Sequence, residues 1–348
     1  MALTAHQHIP RVDESAGELE TVQCLIATAL FSLFTPLGGS TWHLLGLALS
    51  RCVSAGMHHI RVSDAQSDDE EKRGCSRAFW CLYVFDTASL DRPFFVHDED
   101  ITTLTEPVDA KYSHNQPPSR SSDSGDEFDT FHRGVVQCAR LLRDAQQNPE
   151  KGALFHFINI RHFRETMPRY LIGFDNGSWM LDNLCSRFCC RTLLEIVSHL
   201  TPAQSRAEAA MVVGYAEEQF AGTLDILDQK PETRRSSAFM GCDGLLVFRI
   251  GVELLCNPLF GRQGGANCPN LLVSQKCLRL LVAISERFSS VRCLREILEE
   301  LVVFLATESS RHTRADRLGL ERRIELSEIP IPKRVQDLIY SLRISTPG

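Results

Sequence analysis

Apolar positions recur at helical spacing along most of the chain. Between Glu18 and Phe34, the residues Val22, Leu25, Ile26, Ala29, Leu30 and Leu33 fall at i, i+3, i+4, i+7, i+8 and i+11, which is one face of an α-helix. Ser15-Ala16-Gly17-Glu18 has the form of a capping box at its start, and Pro36 with Gly38-Gly39 ends it. The spacing predicts a second helix from Thr41 to Ala55, with Trp42, Leu45, Leu49, Cys52 and Val53 inward and Gly56 as its C-terminal stop. Ser67-Asp68-Asp69-Glu70, a second capping box, opens a third helix over Asp69 to Ser89. Its apolar side carries Cys75, Ala78, Phe79, Leu82 and Phe85, and Pro93 closes it.

Beyond residue 127 the same period predicts helices near 128–146, 152–166, 181–199, 202–229, 236–256, 271–288, 291–307 and 332–343. Thr201-Pro202-Ala203-Gln204 supplies a cap, a first-turn proline and a Gln three residues on, a start signal for one of them. Neither a run of alternating strands nor an internal repeat stands out. The expected fold is all-α, an irregular multi-helix bundle. Its expected interruption is a disordered loop near 113–126, where Pro117-Pro118-Ser119-Arg120-Ser121-Ser122-Asp123-Ser124-Gly125-Asp126 can bury little. The expected organisation is an N-terminal helical part over 1–110, a flexible polar linker over 111–127 and a C-terminal helical part over 128–348.

Composition narrows the function classes. The 348 residues carry 37 Lys and Arg against 44 Asp and Glu, a net charge of −7, with 43% hydrophobic residues. That balance supports a buried core and excludes a protein whose bulk charge grips phosphates. The most basic stretch, Arg311 to Arg334, interleaves its cations with Asp316, Glu321, Glu325 and Glu328, as a solvated face does. Arg234-Arg235 and Lys333-Arg334 are too short to argue a nuclear signal. The start lacks the basic and apolar runs of a signal peptide, and no apolar run of about 18 residues is present to span a membrane.

The 13 cysteines contain no C-x-x-C pair; the tightest group is Cys185, Cys189 and Cys190. A zinc cluster needs short paired spacings, so these thiols read as small buried hydrophobes in a reducing compartment. Histidine beside cysteine could make a nucleophile and its base, and His58-His59 or His6 with His8 could meet a metal. No third ligand accompanies either pair. Gly264-Gly265 is not followed by the Lys of a phosphate loop, and Gly241-Cys242-Asp243-Gly244 lacks the strand and turn of a nucleophile elbow. The expectation is no catalytic residue, no metal and no cofactor.

Three motifs in order carry a resemblance. Trp42-His43-Leu44-Leu45-Gly46-Leu47-Ala48-Leu49 leads to Ala55-Gly56-Met57-His58-His59. Arg73-Gly74-Cys75-Ser76-Arg77-Ala78-Phe79-Trp80-Cys81-Leu82-Tyr83-Val84-Phe85-Asp86 follows, and then Arg92-Pro93 with Val96-His97-Asp98-Glu99-Asp100-Ile101. Together they resemble the regulatory middle region of fungal zinc-cluster transcription factors; His162-Phe163-Arg164-Glu165-Thr166-Met167-Pro168 and Phe188 to Leu194 are fainter echoes. The family's Gly before Arg-Pro is Asp91 here.

As architecture, Gly46 would face a neighbouring helix, Gly56 would take the left-handed conformation and Trp80 would fill a core. One of Arg73, Arg77 and Arg92 would pair with Asp86 or Asp100. Trp42, Gly46, Gly56, His58, Arg73, Trp80, Asp86, Arg92, Pro93 and Asp100 are thus expected to build the fold.

The resemblance implies a fungal-type transcription regulator acting in the nucleus, with the cytoplasm as the alternative. Its targets would be a metabolic or secondary-metabolite gene set. The zinc cluster is not in the chain as given, so DNA would be reached indirectly or through a missing N-terminal module. A shortened bundle would leave apolar surface on its first helix, which implies a protein partner or a homodimer. The alternative is a partner-binding or decoy module without DNA contact; the resemblance also admits a small-molecule effector.

Overall fold

The computed structural model describes residues 17–35, 41–59, 69–89, 95–103, 124–166, 178–200, 206–228, 240–260, 269–306, 324 and 331–344. Among these, eleven α-helices and a few short 3-10 turns make up the fold, and there is no strand. In chain order they are α1 Glu18–Phe34, α2 Thr41–Ser54, α3 Asp69–Ser89, α4 Ser124–Gln147, α5 Ala153–Thr166 and α6 Ser178–Ser198. Then come α7 Arg206–Asp228, α8 Gly241–Cys256, α9 Pro269–Arg287, α10 Arg292–Ala306 and α11 Lys333–Ile344. The all-α fold expected from the apolar period is the fold found.

The chain forms two units. The first comprises 1–143 with 163–185, the second 144–162 with 186–348. Their boundaries fall inside α4, α5 and α6. Helix α4 begins at Ser124, so the last residues of the 113–126 stretch expected as a disordered loop are helical; 113–123 lie outside the described residues.

In the first unit α1, α2 and α3 pack on one another. Helix α1 buries Val22, Leu25, Ile26, Ala29 and Leu33 of the face expected from its spacing, and Leu30 of that face is half-buried. Its N-cap is Gly17, with no side-chain cap, and the Thr21 hydroxyl donates back to the Gly17 carbonyl at 3.1 Å. Ser15 and Ser67, which would have led the two capping boxes, lie outside the described residues. Helix α2 buries Leu44, Leu45, Ala48, Leu49 and Cys52. Trp42 does not join them: it is 49% exposed, and its ring meets His43 edge-on. Val53 is half-buried. Position 42 falls at the margin of the face that Leu44, Leu45, Ala48, Leu49 and Cys52 bury.

Gly56 adopts φ +70° after α2, the left-handed turn expected of it. Gly46, by contrast, meets open space where its Cβ would point, so no neighbouring helix demands a glycine there. The close approach lies instead at Gly74 of α3, whose Cβ would come within 2.9 Å of a Leu19 methyl on α1.

In the second unit α8 is central, packing on α9, α10 and α11. Every residue from Asp243 to Asn257 is buried, so the helix has no solvent face. The Gly241-Cys242-Asp243-Gly244 segment is its first turn, and Asp243 accepts the Met240 amide at 2.9 Å. Gly244 sits against the short 3-10 turn at Ser289–Val291, where an added Cβ would lie 2.6 Å and 2.8 Å from the two Val291 methyls.

Glycine substitutions at open and at crowded positions should therefore move in opposite directions. Gly214→Ala or Gly222→Ala, at open positions inside α7, should each stabilise the protein by about 0.5–1 kcal/mol through helix propensity alone. Gly244→Ala should destabilise it by about 1–2 kcal/mol net, because Val291 branches at Cβ and cannot swing clear. Thermal melts of the three variants check the signs.

Candidate functional site

The motif residues converge on the buried side of α3. Trp80 is 1% exposed and meets Phe79 and Tyr83 edge-to-face, with centroids 5.2 Å and 5.1 Å away. Residues 79, 80 and 83 share this side because i, i+3 and i+4 positions stack on one face of a helix. Burial of three rings supplies the apolar energy, and the tilted pairings suit the ring quadrupoles.

Two arginines one helical turn apart on α4 complete the cluster. The Arg140 guanidinium lies over the Trp80 ring at 4.8 Å, and that of Arg143 lies over the Tyr83 ring at 4.3 Å. Arg143 is 1% exposed. It donates to the Val96 carbonyl at 2.5 Å and pairs with Asp98 at 3.3 Å. The Tyr83 hydroxyl donates to both Asp98 carboxylate oxygens, at 3.2 Å and 3.1 Å. Burial pushes the Tyr83 phenol well above its ordinary value; Arg143 pulls the other way and Asp98 adds to the rise. The hydroxyl therefore stays protonated as a donor.

Asp98 opens the acidic 3-10 turn Asp98–Asp100, and two further tethers hold the neighbouring backbone. Buried Asp86 accepts the Phe95 amide at 3.2 Å. The His58 carbonyl accepts the amides of Thr102 and Thr103 at 3.1 Å and 3.0 Å, and the Thr103 hydroxyl donates to the Met57 carbonyl at 2.7 Å. The acidic stretch is thereby fastened to α3, to α4 and to the turn after α2.

The structure thus brings Trp80, Asp86, Gly56 and His58 of the expected motif set into or beside one cluster. Trp42 and Gly46 stand on the open side of α2, Asp100 is exposed on the acidic turn, and Arg73 is half-buried on the first half of α3. Arg92 and Pro93 lie outside the described residues. An arginine that grips the acidic turn is Arg143, about 45 residues further on and outside the motif itself. Arg140, Arg143 and Tyr83 carried a weak signal in their i, i+3 spacings, but nothing in the sequence joined α4 to Asp98.

A second buried polar assembly lies in the other unit. Arg187 of α6 binds Asp243 of α8 through Nε at 2.6 Å and Nη2 at 3.0 Å, with both side chains buried. Burial works against the Arg187 charge, but Asp243 outweighs it and holds the guanidinium above its ordinary value. One to two turns along, Arg249 donates to Glu195 at 2.8 Å. Glu253 accepts from Asn257 at 2.9 Å and pairs with Arg334 of α11 at 3.7 Å, and the Arg334 guanidinium also donates to the Val197 carbonyl at 3.4 Å. Burial raises Glu253 against the pull of these partners.

The chemistry available is that of clamps. Burial pushes the thiols of Cys52 and Cys277 up to about 12, where thiolate is scarce. Among the described residues no three His, Cys, Asp or Glu side chains converge as metal ligands would, and no helix is long and apolar enough to cross a membrane. The Gly264-Gly265 pair lies outside the described residues.

Removing the buried guanidinium should show which contact the cluster rests on. Arg143→Met should cost about 3 kcal/mol in urea unfolding, because the Val96 carbonyl and the Tyr83–Asp98 pair lose their shared partner. Tyr83→Phe should cost about 1 kcal/mol, and Trp80→Ala about 3–5 kcal/mol.

With the geometry in place, comparison with known proteins adds a family. Residues 9–157 match the fungal specific transcription factor domain, a span that includes α1 to α4 and the whole Trp80–Arg143 cluster. Over 92 residues the chain is 30% identical to Protein STB5 of Saccharomyces cerevisiae, covering 24% of this chain and 12% of that protein. It is 30% identical over 89 residues to the Negative regulator of pleiotropic drug resistance STB5 of Candida glabrata, covering 24% and 9%. It is 25% identical over 118 residues to the Positive regulator of purine utilization of Emericella nidulans, covering 25% and 11%. The matched stretch thus spans only about a tenth of these relatives' length. No solved structure matches the chain.

Proposed function

We propose that this chain, which carries the fungal specific transcription factor domain over residues 9–157, works as a fungal-type transcription regulator. The observation that carries the proposal is the coincidence of that matched span with the cluster in which Trp80, Tyr83, Asp98 and Arg143 lock three separate segments together. The relatives bear the names of regulators, of drug resistance in one case and of purine utilization in another. A metabolic or secondary-metabolite gene set is the corresponding target here, and the nucleus the corresponding compartment. Contact with DNA would be indirect or through a zinc-cluster module outside this sequence, since a chain of net charge −7 has no excess of cations to offer phosphates. The motif residues in or beside the cluster act as architecture: Trp80, Asp86, Gly56 and His58 seat the acidic turn.

The test is to tether the whole chain to an unrelated DNA-binding module upstream of a reporter in a fungal cell. Reporter output should change several-fold against the module alone, and Arg143→Met should return it to that baseline. Output equal to the module alone with the unaltered chain would sink the proposal.

A second reading, a partner-binding or decoy module, is favoured by one feature. Phe31 and Trp42, 47% and 49% exposed, flank the hydroxyl pair of Ser32 and Thr41 that joins the end of α1 to the start of α2. Two exposed rings so placed suit a protein partner or a second copy. The purified chain should sediment as a dimer, and Phe31→Ser with Trp42→Ser should shift it to monomer; a monomer in both cases would leave the first reading without its companion.

A further inference from the structure

Two imidazoles lie face to face where the chain leaves α2. The ring centroids of His58 and His59 are 3.7 Å apart, with planes inclined by 38°. His58 is only 9% exposed, and its Nδ1 is buried without a hydrogen-bond partner. The Phe79 ring of α3 stands 6.4 Å from it. The backbone of this pair is what holds the end of the acidic segment: the His58 carbonyl accepts the Thr102 and Thr103 amides, and His59 Nδ1 bonds the Thr102 hydroxyl at 3.1 Å.

We propose that the stacked His58–His59 pair is a proton-operated latch, in which uptake of a proton by the buried ring unseats it and releases segment 101–103 from the His58 carbonyl. The argument is one of donors and charge. A neutral imidazole can leave one nitrogen unpaired at modest cost. A protonated one carries N–H on both nitrogens, and at Nδ1 the new charge finds no acceptor. If the neighbouring ring is charged as well, two like charges face each other across a stack.

The groups around the pair set the balance. His59 on the same turn opposes charge on His58, and Asp100 on the acidic turn favours it. From α3 the pair meets the Phe79 ring; the titratable groups on that buried side are committed, Tyr83 to Asp98, Asp86 to the Phe95 amide, and Cys75 as a thiol that burial keeps protonated. From α2 come the Cys52 thiol, pushed up to about 12, and Arg51, paired with Glu18 at 3.6 Å. Burial first, and then His59, hold the His58 ring below its ordinary 6.5 despite Asp100. A folded state that resists protonation keeps its full stability above that value and loses it as pH falls below. The latch is closed at neutral pH and opens on acidification.

Hydrogen exchange on the full chain at pH 7.5 and pH 5.5, corrected for the intrinsic chemical rate, tests this. The peptide covering 95–103 should exchange several-fold faster at the lower pH, because the open state takes up a proton that the closed state resists. In His58→Phe the two rates should be equal. Should that variant fail to fold, the His58 ring signal in the unaltered protein decides, titrating below 6.5 in step with the rise in exchange at 102 and 103. Equal rates in the unaltered protein, the same rise in His58→Phe, or a ring titration at or above 6.5 would each overturn the proposal.

Discussion

A guanidinium removed from water sets the terms for the first unit. Arg143 is essentially inaccessible, and an ion of that size loses hydration worth several kcal/mol even after the protein relaxes around it. The loss is offset only while three things hold at once: the Val96 carbonyl points inward, Asp98 stays ionised beside it, and the Tyr83 ring lies beneath the guanidinium plane. Two belong to the 95–103 segment and the third to α3. If α4 rotates, the arginine loses all three, and if the acidic turn lifts, it loses two. Helices that apolar packing alone would let slide are thereby held in one register, and the Arg140–Trp80 contact one turn away fixes the same orientation a second time.

The second unit solves a similar problem inside helices with no wet face. Helix α8 is buried all round, yet it carries Asp243, Arg249 and Glu253, and α6 buries Arg187 and Arg191 among its leucines and cysteines. Apolar helices can turn against apolar neighbours with little penalty, whereas a bidentate Arg187–Asp243 pair tolerates neither rotation nor a one-residue slip. Asp243 also accepts the Met240 amide at the first turn of α8, so the same carboxylate starts the helix and sets its register. Where Gly244 then meets Val291, the backbone comes as close as a missing side chain permits.

Helices were legible because their signal is local. The i, i+3, i+4 spacing in α1 located Val22, Leu25, Ile26, Ala29, Leu30 and Leu33 on one face, and all of them but the half-buried Leu30 are buried. Gly56 was legible for the same reason, since a left-handed stop is a property of a single residue. Trp42 was not: periodicity assigns a face but not its width, and position 42 falls at the margin of the one that is covered. Gly46 failed differently. A glycine in a helix matters only if another element approaches it, and the helix that crowds a glycine here does so at Gly74. The partner of the acidic turn was hidden for a third reason. Ion pairs between distant segments leave no periodic trace, so Arg143 looked like one more charged residue on an amphipathic helix.

The direction in which burial moves the ionisable groups bears on function more than their number does. Catalysis draws a nucleophilic thiol down toward neutrality, or brings an acid and a base near the working pH beside one another. In this chain Cys52 and Cys277 are pushed up to about 12, and the Tyr83 phenol is driven further from ionisation, each chiefly by loss of water. Such shifts make groups inert and turn Tyr83 into a fixed donor. Among the charges that remain buried, Arg143, Arg187 and Asp243 are each engaged at a junction between elements of one unit. Burying charge at junctions makes helix position, and not reactivity, the sensitive variable: a displacement of a few ångströms exposes or strands an ion and so carries a large free-energy difference. In a body built in this way a small movement of one helix changes the free energy of its own packing by a large amount.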